Sequence, residues 1–220
     1  MLIATVCCLI VIGLAKYFWP EMIPFDFLGF WTIDHAFEGI LRGWPLYVWG
    51  IALTSFLKAI RGISTETSPG EIILYGGTMS IWAGVREETF FRWLLFYALI
   101  VGIPFFDWLL LGFMGWNWIE WLNVEIFIPV TNFVTLGYLE HYLRGYSWAV
   151  GAAIVAASQK FRDGHKYQGF IGWVNSWFLG MWFFWTMFTF GLPSAVVVHT
   201  VYNFGCYLTV AAIVAIKERA

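Results

Sequence analysis

Arg86-Glu87-Glu88-Thr89-Phe90-Phe91-Arg92 sets four formal charges within seven residues, inside an apolar stretch running from about residue 72 to 106. At the centre of a membrane-spanning helix each such charge costs roughly 2.5–3.5 kcal/mol to insert. Four left unpaired would cost on the order of 10 kcal/mol, as much as the whole stability of many folds. They are expected to pair, to line a wet cavity, or to do both. Glu88 and Arg92 stand four apart with the acid first, the favourable order for an ion pair on one helix face. Glu87 lies about 100° round the helix from Glu88, beside Ala83 and Gly84, whose small side chains let another helix or a substrate come close. The spacing reads as a structural pair, Glu88–Arg92, holding a second carboxylate, Glu87, in a clearing. The alternative is a loop between two shorter helices that carries all four charges.

Two further polar groups stand in apolar surroundings. His199 and Asn203 are four apart in the last apolar run and project from one helix face. Pro193 starts that helix, so His199 sits roughly 9 Å along it. Imidazole titrates near neutrality and the asparagine amide is a fixed donor. The pair therefore suits proton transfer or stabilisation of negative charge, and equally a plain helix–helix hydrogen bond. Phe161-Arg162-Asp163-Gly164-His165 follows a helix rich in Ala and Gly. His165 shares the face of Phe161 if the helix continues, whereas Asp163-Gly164 can end it and leave a hydrophilic loop with an incidental histidine.

The elements that must position these groups are helices in a membrane. The 220 residues are 60% hydrophobic, 21% aromatic and 12% charged, with mean hydropathy +0.73. That composition excludes an ordinary soluble domain, and a net charge of −2 offers no basic surface for nucleic acid. Fifteen Trp and ten Tyr suit anchors at the two bilayer interfaces. Cys7, Cys8 and Cys206 give neither a disulfide framework nor zinc-ligand spacing. Spanning-length apolar runs fall near residues 2–19, 44–60, 72–103, 120–143, 146–160, 170–190 and 193–216. They predict an all-α, polytopic transmembrane bundle of about seven to eight spans, with residues 1–220 forming one integral-membrane domain. The first run reads as a retained helix, not a cleaved signal. In the third, Gly76-Gly77 and Gly84 invite a break. Residues 20–43 read as a loop or an interfacial amphipathic helix, and residues 102–117 as a surface connection. One set of loops carries Lys16, Arg42, Lys160, Arg162, Lys166, Lys217 and Arg219, the other Lys58, Arg61 and Arg144. By the positive-inside rule the first set, and with it the C-terminus, is expected in the cytoplasm.

Taken in order, these residues resemble the CAAX protease and bacteriocin-processing family, the glutamate-type intramembrane proteases. Its E-E-x-x-x-R motif is matched by Glu87-Glu88…Arg92, its F-x-x-x-H by Phe161…His165, and its third histidine motif by His199…Asn203. The resemblance covers about residues 71–214. Arg162-Asp163-Gly164 departs from the apolar residues usual between Phe and His, and Trp93 from the Gly that often follows the motif arginine. The resemblance implies a multi-helix CAAX prenyl endopeptidase-like enzyme cutting a membrane-associated peptide or protein, either a prenylated CAAX-type tail or a leader or signalling peptide. By carry-over, Glu87 and His165 activate a water, His199 and Asn203 stabilise the oxyanion, and Glu88 and Arg92 support the site. The chemistry is consistent with the residues: amide hydrolysis needs a base and donors aimed at the developing oxyanion, and no serine or cysteine stands beside a histidine as a nucleophile. No cofactor is expected. Zinc held by Glu87, His165 and His199 is the alternative, although H-E-x-x-H is absent. Two readings of other classes use the same buried groups: a proton or ion pathway, against which stands the lack of an internal repeat, and a non-catalytic membrane scaffold.

Overall fold

A long helix organises the structure, a computed structural model that describes residues 2–62 and 66–218. Arg219, counted above among the basic residues, lies outside the described residues. Ser68 starts the helix: its hydroxyl accepts from the Glu71 N–H, and the Glu71 carboxylate accepts in return from the Ser68 N–H. Two otherwise orphaned donors are thereby satisfied, and Pro69 fills a first-turn position that needs no N–H. Helix α4 (Pro69–Glu87) passes into wider π-helical turns at Glu88–Leu95 and on into α5 (Phe96–Leu109), 41 residues of continuous helix.

Every fourth residue along one face of this helix is buried: Gly76, Ser80, Gly84, Glu88 and Arg92. The strip packs on α11 (Leu192–Lys217). A Cβ added at Gly76 would run into the Tyr207 ring, and one at Gly84 into the Thr200 hydroxyl and the Val196 carbonyl. The glycines expected to break the helix instead bring two backbones together. The irregularity falls four residues later, on the charged segment itself, where π-helical turns commonly accompany function. Residues 102–109 are also helical, through Pro104, where a surface connection was expected. Buried Asp107 then accepts from the N–H groups of Ile119 and Glu120, capping α6 (Trp118–Leu122).

The remaining helices are α1 (Leu2–Phe18), α2 (Ala36–Arg42), α3 (Trp44–Arg61), α7 (Ile128–Val134), α8 (Glu140–Arg144), α9 (Trp148–Asp163) and α10 (Gly169–Phe190), and no strand occurs among the described residues. The fold is all-α, as the composition predicted. Among the described residues, two helices are long and apolar enough to cross a membrane, Pro69–Leu109 and Leu192–Lys217. The run at 120–143 is not one helix, because Leu136 and Gly137 adopt left-handed φ values of 53° and 78° and turn the chain between α7 and α8. Helix α9 is buried nearly all round through Val150, Ala153, Ile154 and Ala157, against Phe96, Tyr97 and Ile100 of α5 and Phe184 and Met187 of α10.

The turn from α10 to α11 is covered. Gly191 takes φ +91°, and the Leu192 N–H donates to Phe30 O at 2.7 Å. Gly39 of α2 sits on Phe190 and Ser194. At the other end, Arg61 Nη1 donates to Gln168 O at 3.4 Å. The end of α3 therefore lies beside the α9–α10 turn, and Lys58 and Arg61 share an end with Lys160, Arg162 and Lys166. The division of basic residues drawn from seven simple spans is corrected accordingly: the turn within residues 120–143 changes the count on which it rested.

Candidate active site

Glu88 and Arg92 are fully buried one helical turn apart. Glu88 Oε2 lies 3.2 Å from Arg92 Nε. This is an ion pair by distance but not by direction, for Arg92 Nε, Nη1 and Nη2 make no hydrogen bond. The guanidinium rests instead among aromatic faces, 4.0 Å from the Phe161 ring centre, 5.3 Å from Phe183 and 5.8 Å from Phe184. Their quadrupoles favour a desolvated cation. A Cβ at Gly180 would press on Ser158 and only touch Arg92 Nη2 at 3.5 Å.

The other oxygen of Glu88 reaches α11. Oε1 lies 2.7 Å from His199 Nδ1. A carboxylate only accepts, so Nδ1 carries the proton and Nε2 is left free. Phe183 stacks on the imidazole, 4.5 Å between centres and 19° between planes. The sequence assigned Glu88 to Arg92 alone; the contact with His199 spans 111 residues of chain and leaves no local signature.

His165 is held in an equivalent way. Helix α9 stops at Asp163, with Gly164 as its C-cap, so the helix does not reach the histidine. The side chain nevertheless folds back: Nδ1 lies 2.7 Å from Phe161 O, and the two rings are 4.6 Å apart. A carbonyl also only accepts, so Nδ1 is again the donor and Nε2 faces outward. Asp163 braces the turn through Arg162 and the Trp173 indole N–H. Desolvation raises the Asp163 carboxyl, but hydrogen bonds from Trp173 and Arg162 and the charges of Arg162 and Lys166 outweigh it and hold the group below its ordinary range.

Both free imidazole nitrogens point at one carboxylate. Glu87 Oε2 lies 3.9 Å from His165 Nε2 and 4.0 Å from His199 Nε2. These separations are too long for direct hydrogen bonds and short enough for a water to bridge Glu87 to either imidazole. Glu87 Oε2 is a buried atom with no protein partner, although the side chain as a whole is 16% exposed. Straight-span counting sets the two histidines at different depths. Phe161 closes the gap, its ring lying 4.6 Å from that of His165 and 6.0 Å from that of His199.

Glu87, His165, His199 and Asn203 all line one cavity of about 570 Å³, with Ala83 in its wall. The clearing read beside Glu87 is thus half cavity, through Ala83, and half helix contact, through Gly84. Among the described residues no group of three or more His, Cys, Asp or Glu side chains is placed to hold a metal ion. The zinc trio Glu87, His165 and His199 stands wider than the roughly 3.4 Å between donor atoms of a tetrahedral site with bonds of about 2.1 Å.

Asn175 and Tyr202 are among the lining residues that sequence reasoning missed. Asn175 accepts from Trp49 Nε1 at 2.7 Å and donates to the Tyr202 hydroxyl at 3.2 Å, tying α3, α10 and α11 together at the cavity wall. An amide within the apolar run 170–190 was the available signal. Tyr202, next to Asn203, carried none. No family model, no curated protein and no solved structure matches the chain.

Proposed function

We propose that the protein is an integral, multi-pass intramembrane endopeptidase of the glutamate type, hydrolysing a peptide bond in a membrane-associated substrate with an activated water. The observation that carries this reading is the convergence of two anchored imidazoles on the unpartnered Glu87 oxygen at 3.9 and 4.0 Å. A water there donates one proton to Glu87 while its oxygen attacks the amide carbon. His165 Nε2, a lone-pair acceptor in the neutral ring, orients that water through its second proton. Asn203 and His199 face the oxyanion. With Nδ1–H committed to Glu88, His199 Nε2 donates only when the ring carries both protons, and the Glu88 carboxylate 2.7 Å away balances that charge. Collapse of the tetrahedral adduct breaks the C–N bond, and the proton held by Glu87 passes to the departing amine. No step requires a cofactor.

The polar groups stop at Arg92, which aromatic rings enclose. This favours a closed hydrolytic site over a pathway running from face to face. The hydrophobic helices set the site in the bilayer, and the end carrying Lys58, Arg61, Lys160, Arg162 and Lys166 faces the cytoplasm under the positive-inside rule.

The test is cleavage of prenylated CAAX-type peptides and leader peptides by protein in lipid discs. Glu87→Gln is expected to lower kcat by roughly 10²-fold or more, and His199→Ala likewise, while a chelator leaves the rate unchanged. A Glu87→Gln protein that cleaves like the parent removes the water-activating role. Rates abolished by chelation and restored by zinc replace it with metal chemistry.

A further inference from the structure

The chain is net acidic, yet its cavity is not. Lys58 and Arg61 from α3 and Arg86 from α4 line the same space as Glu87, His165 and His199, setting three cations against one ionised carboxylate when the imidazoles are neutral. None of the three cations forms an ion pair among the described residues. Arg61 makes one long hydrogen bond to Gln168 O, 3.4 Å, which holds it beside the turn bearing His165. Arg86 lies 5.9 Å from the Trp82 ring and directly precedes the catalytic Glu87. Arg61 and Arg86 are exposed and Lys58 is half-buried. An excess of one charge sign around a concave space biases its field toward the opposite sign, and a cation without a protein counter-ion is free to receive one from a ligand.

We propose that Lys58, Arg61 and Arg86 form an anion-binding subsite, so that the favoured substrate places a carboxylate next to the scissile bond. This rests on the hydrolytic reading of the site. The carboxylate has two sources, an acidic side chain or the free α-carboxylate of a substrate C-terminus. Either gains directional, charge-assisted hydrogen bonds from the arginines, and its ammonium or amide counterpart does not. The three cations act as specificity residues. The proton-transfer groups remain Glu87 and the histidines.

The experiment uses full-length protein in phosphatidylcholine discs, so that no anionic lipid competes. It uses four labelled peptides of one apolar sequence: all neutral with an amidated C-terminus, the same with one Glu in place of Gln, the same with one Lys in place of Gln, and the neutral sequence with a free C-terminus. Binding by fluorescence anisotropy and cleavage by mass spectrometry are read separately. At least one carboxylate-bearing peptide is expected to bind and be cleaved about 10-fold better than the neutral one, with the advantage shrinking as salt rises. The peptide that wins identifies the source of the carboxylate. Arg61→Glu and Lys58→Glu are expected to invert the preference toward a Lys-bearing peptide. Such an inversion cannot come from misfolding, which lowers all substrates together. Cleavage with equal rates for all peptides overturns the subsite and leaves the hydrolase standing. Carboxylate-selective binding without any cleavage keeps the subsite and overturns the hydrolase. Equal binding with no cleavage overturns both.

Discussion

Replacing Glu88 by Gln keeps the shape of the side chain and removes its charge, and the consequence is calculable. Glu88 and Arg92 are fully buried, and Glu88 is the carboxylate closest to both Arg92, at 3.2 Å, and His199, at 2.7 Å. Arg92 Nε, Nη1 and Nη2 make no hydrogen bond that would survive the change. Removing one partner of a buried pair leaves an uncompensated charge and typically costs about 3–5 kcal/mol. In a chain of this length 1 kcal/mol moves the midpoint by roughly 2–4 °C, so Glu88→Gln is expected to lower Tm by roughly 6–20 °C. Glu87→Gln touches a carboxylate that makes no direct hydrogen bond to protein and is expected to move Tm by no more than a few degrees. The assay is thermal unfolding in detergent or lipid discs, followed by intrinsic Trp fluorescence. A third variant separates charge from packing: Glu88→Gln combined with Arg92→Met removes both charges and is expected to regain part of the loss. A Glu88→Gln protein as stable as the parent, or less perturbed than Glu87→Gln, would refute the division between a supporting pair and a working carboxylate.

Gly84→Ala drives a Cβ into the Thr200 hydroxyl and to 2.8 Å from Val196 O. It is expected to cost about 1–3 kcal/mol and to slow cleavage by separating Glu87 on α4 from His199 on α11, both visible when Tm and kcat are measured on one preparation. Ala83→Gly, on the cavity side, is expected to leave the helix contact intact and to cost only the ~0.5–1 kcal/mol of a glycine inside a helix. For Asp163, whose folded carboxyl is held below its ordinary range, the linkage sign is definite. Its contribution is fully present above the unfolded value of about 3.9 and is lost as pH falls through the lower folded value. The Tm gap between the parent and Asp163→Asn is therefore expected at pH 6 and to close as acidification passes the lowered folded value; a gap that widens on acidification contradicts the assignment.

Local order was legible wherever the determining contact lies within a few residues. The pairing of Glu88 with Arg92 depends on atoms one turn apart, so residue type and spacing suffice. The all-helical fold follows just as directly from the apolar runs, since a helix satisfies its own backbone groups within the segment. The convergence of Glu87, His165, His199 and Asn203 on one cavity is of another kind. The motif residues were visible as types, yet spacing along straight spans put the histidines at different depths. What unites them is the return of His165 onto Phe161 after α9 has ended, the π-helical turns that carry Glu88 and Arg92, and the close approach of α4 and α11 at Gly76 and Gly84. The contact between Glu88 and His199, the aromatic enclosure of Arg92, the bridge from Trp49 through Asn175 to Tyr202, and the gathering of Lys58, Arg61 and Arg86 join residues from separate helices. Periodicity tells which face of a helix is buried, but not which other helix will meet it or at what height. That is decided only when every backbone finds its closest packing at once, and the packing of small residues against large ones is a property of the assembled bundle.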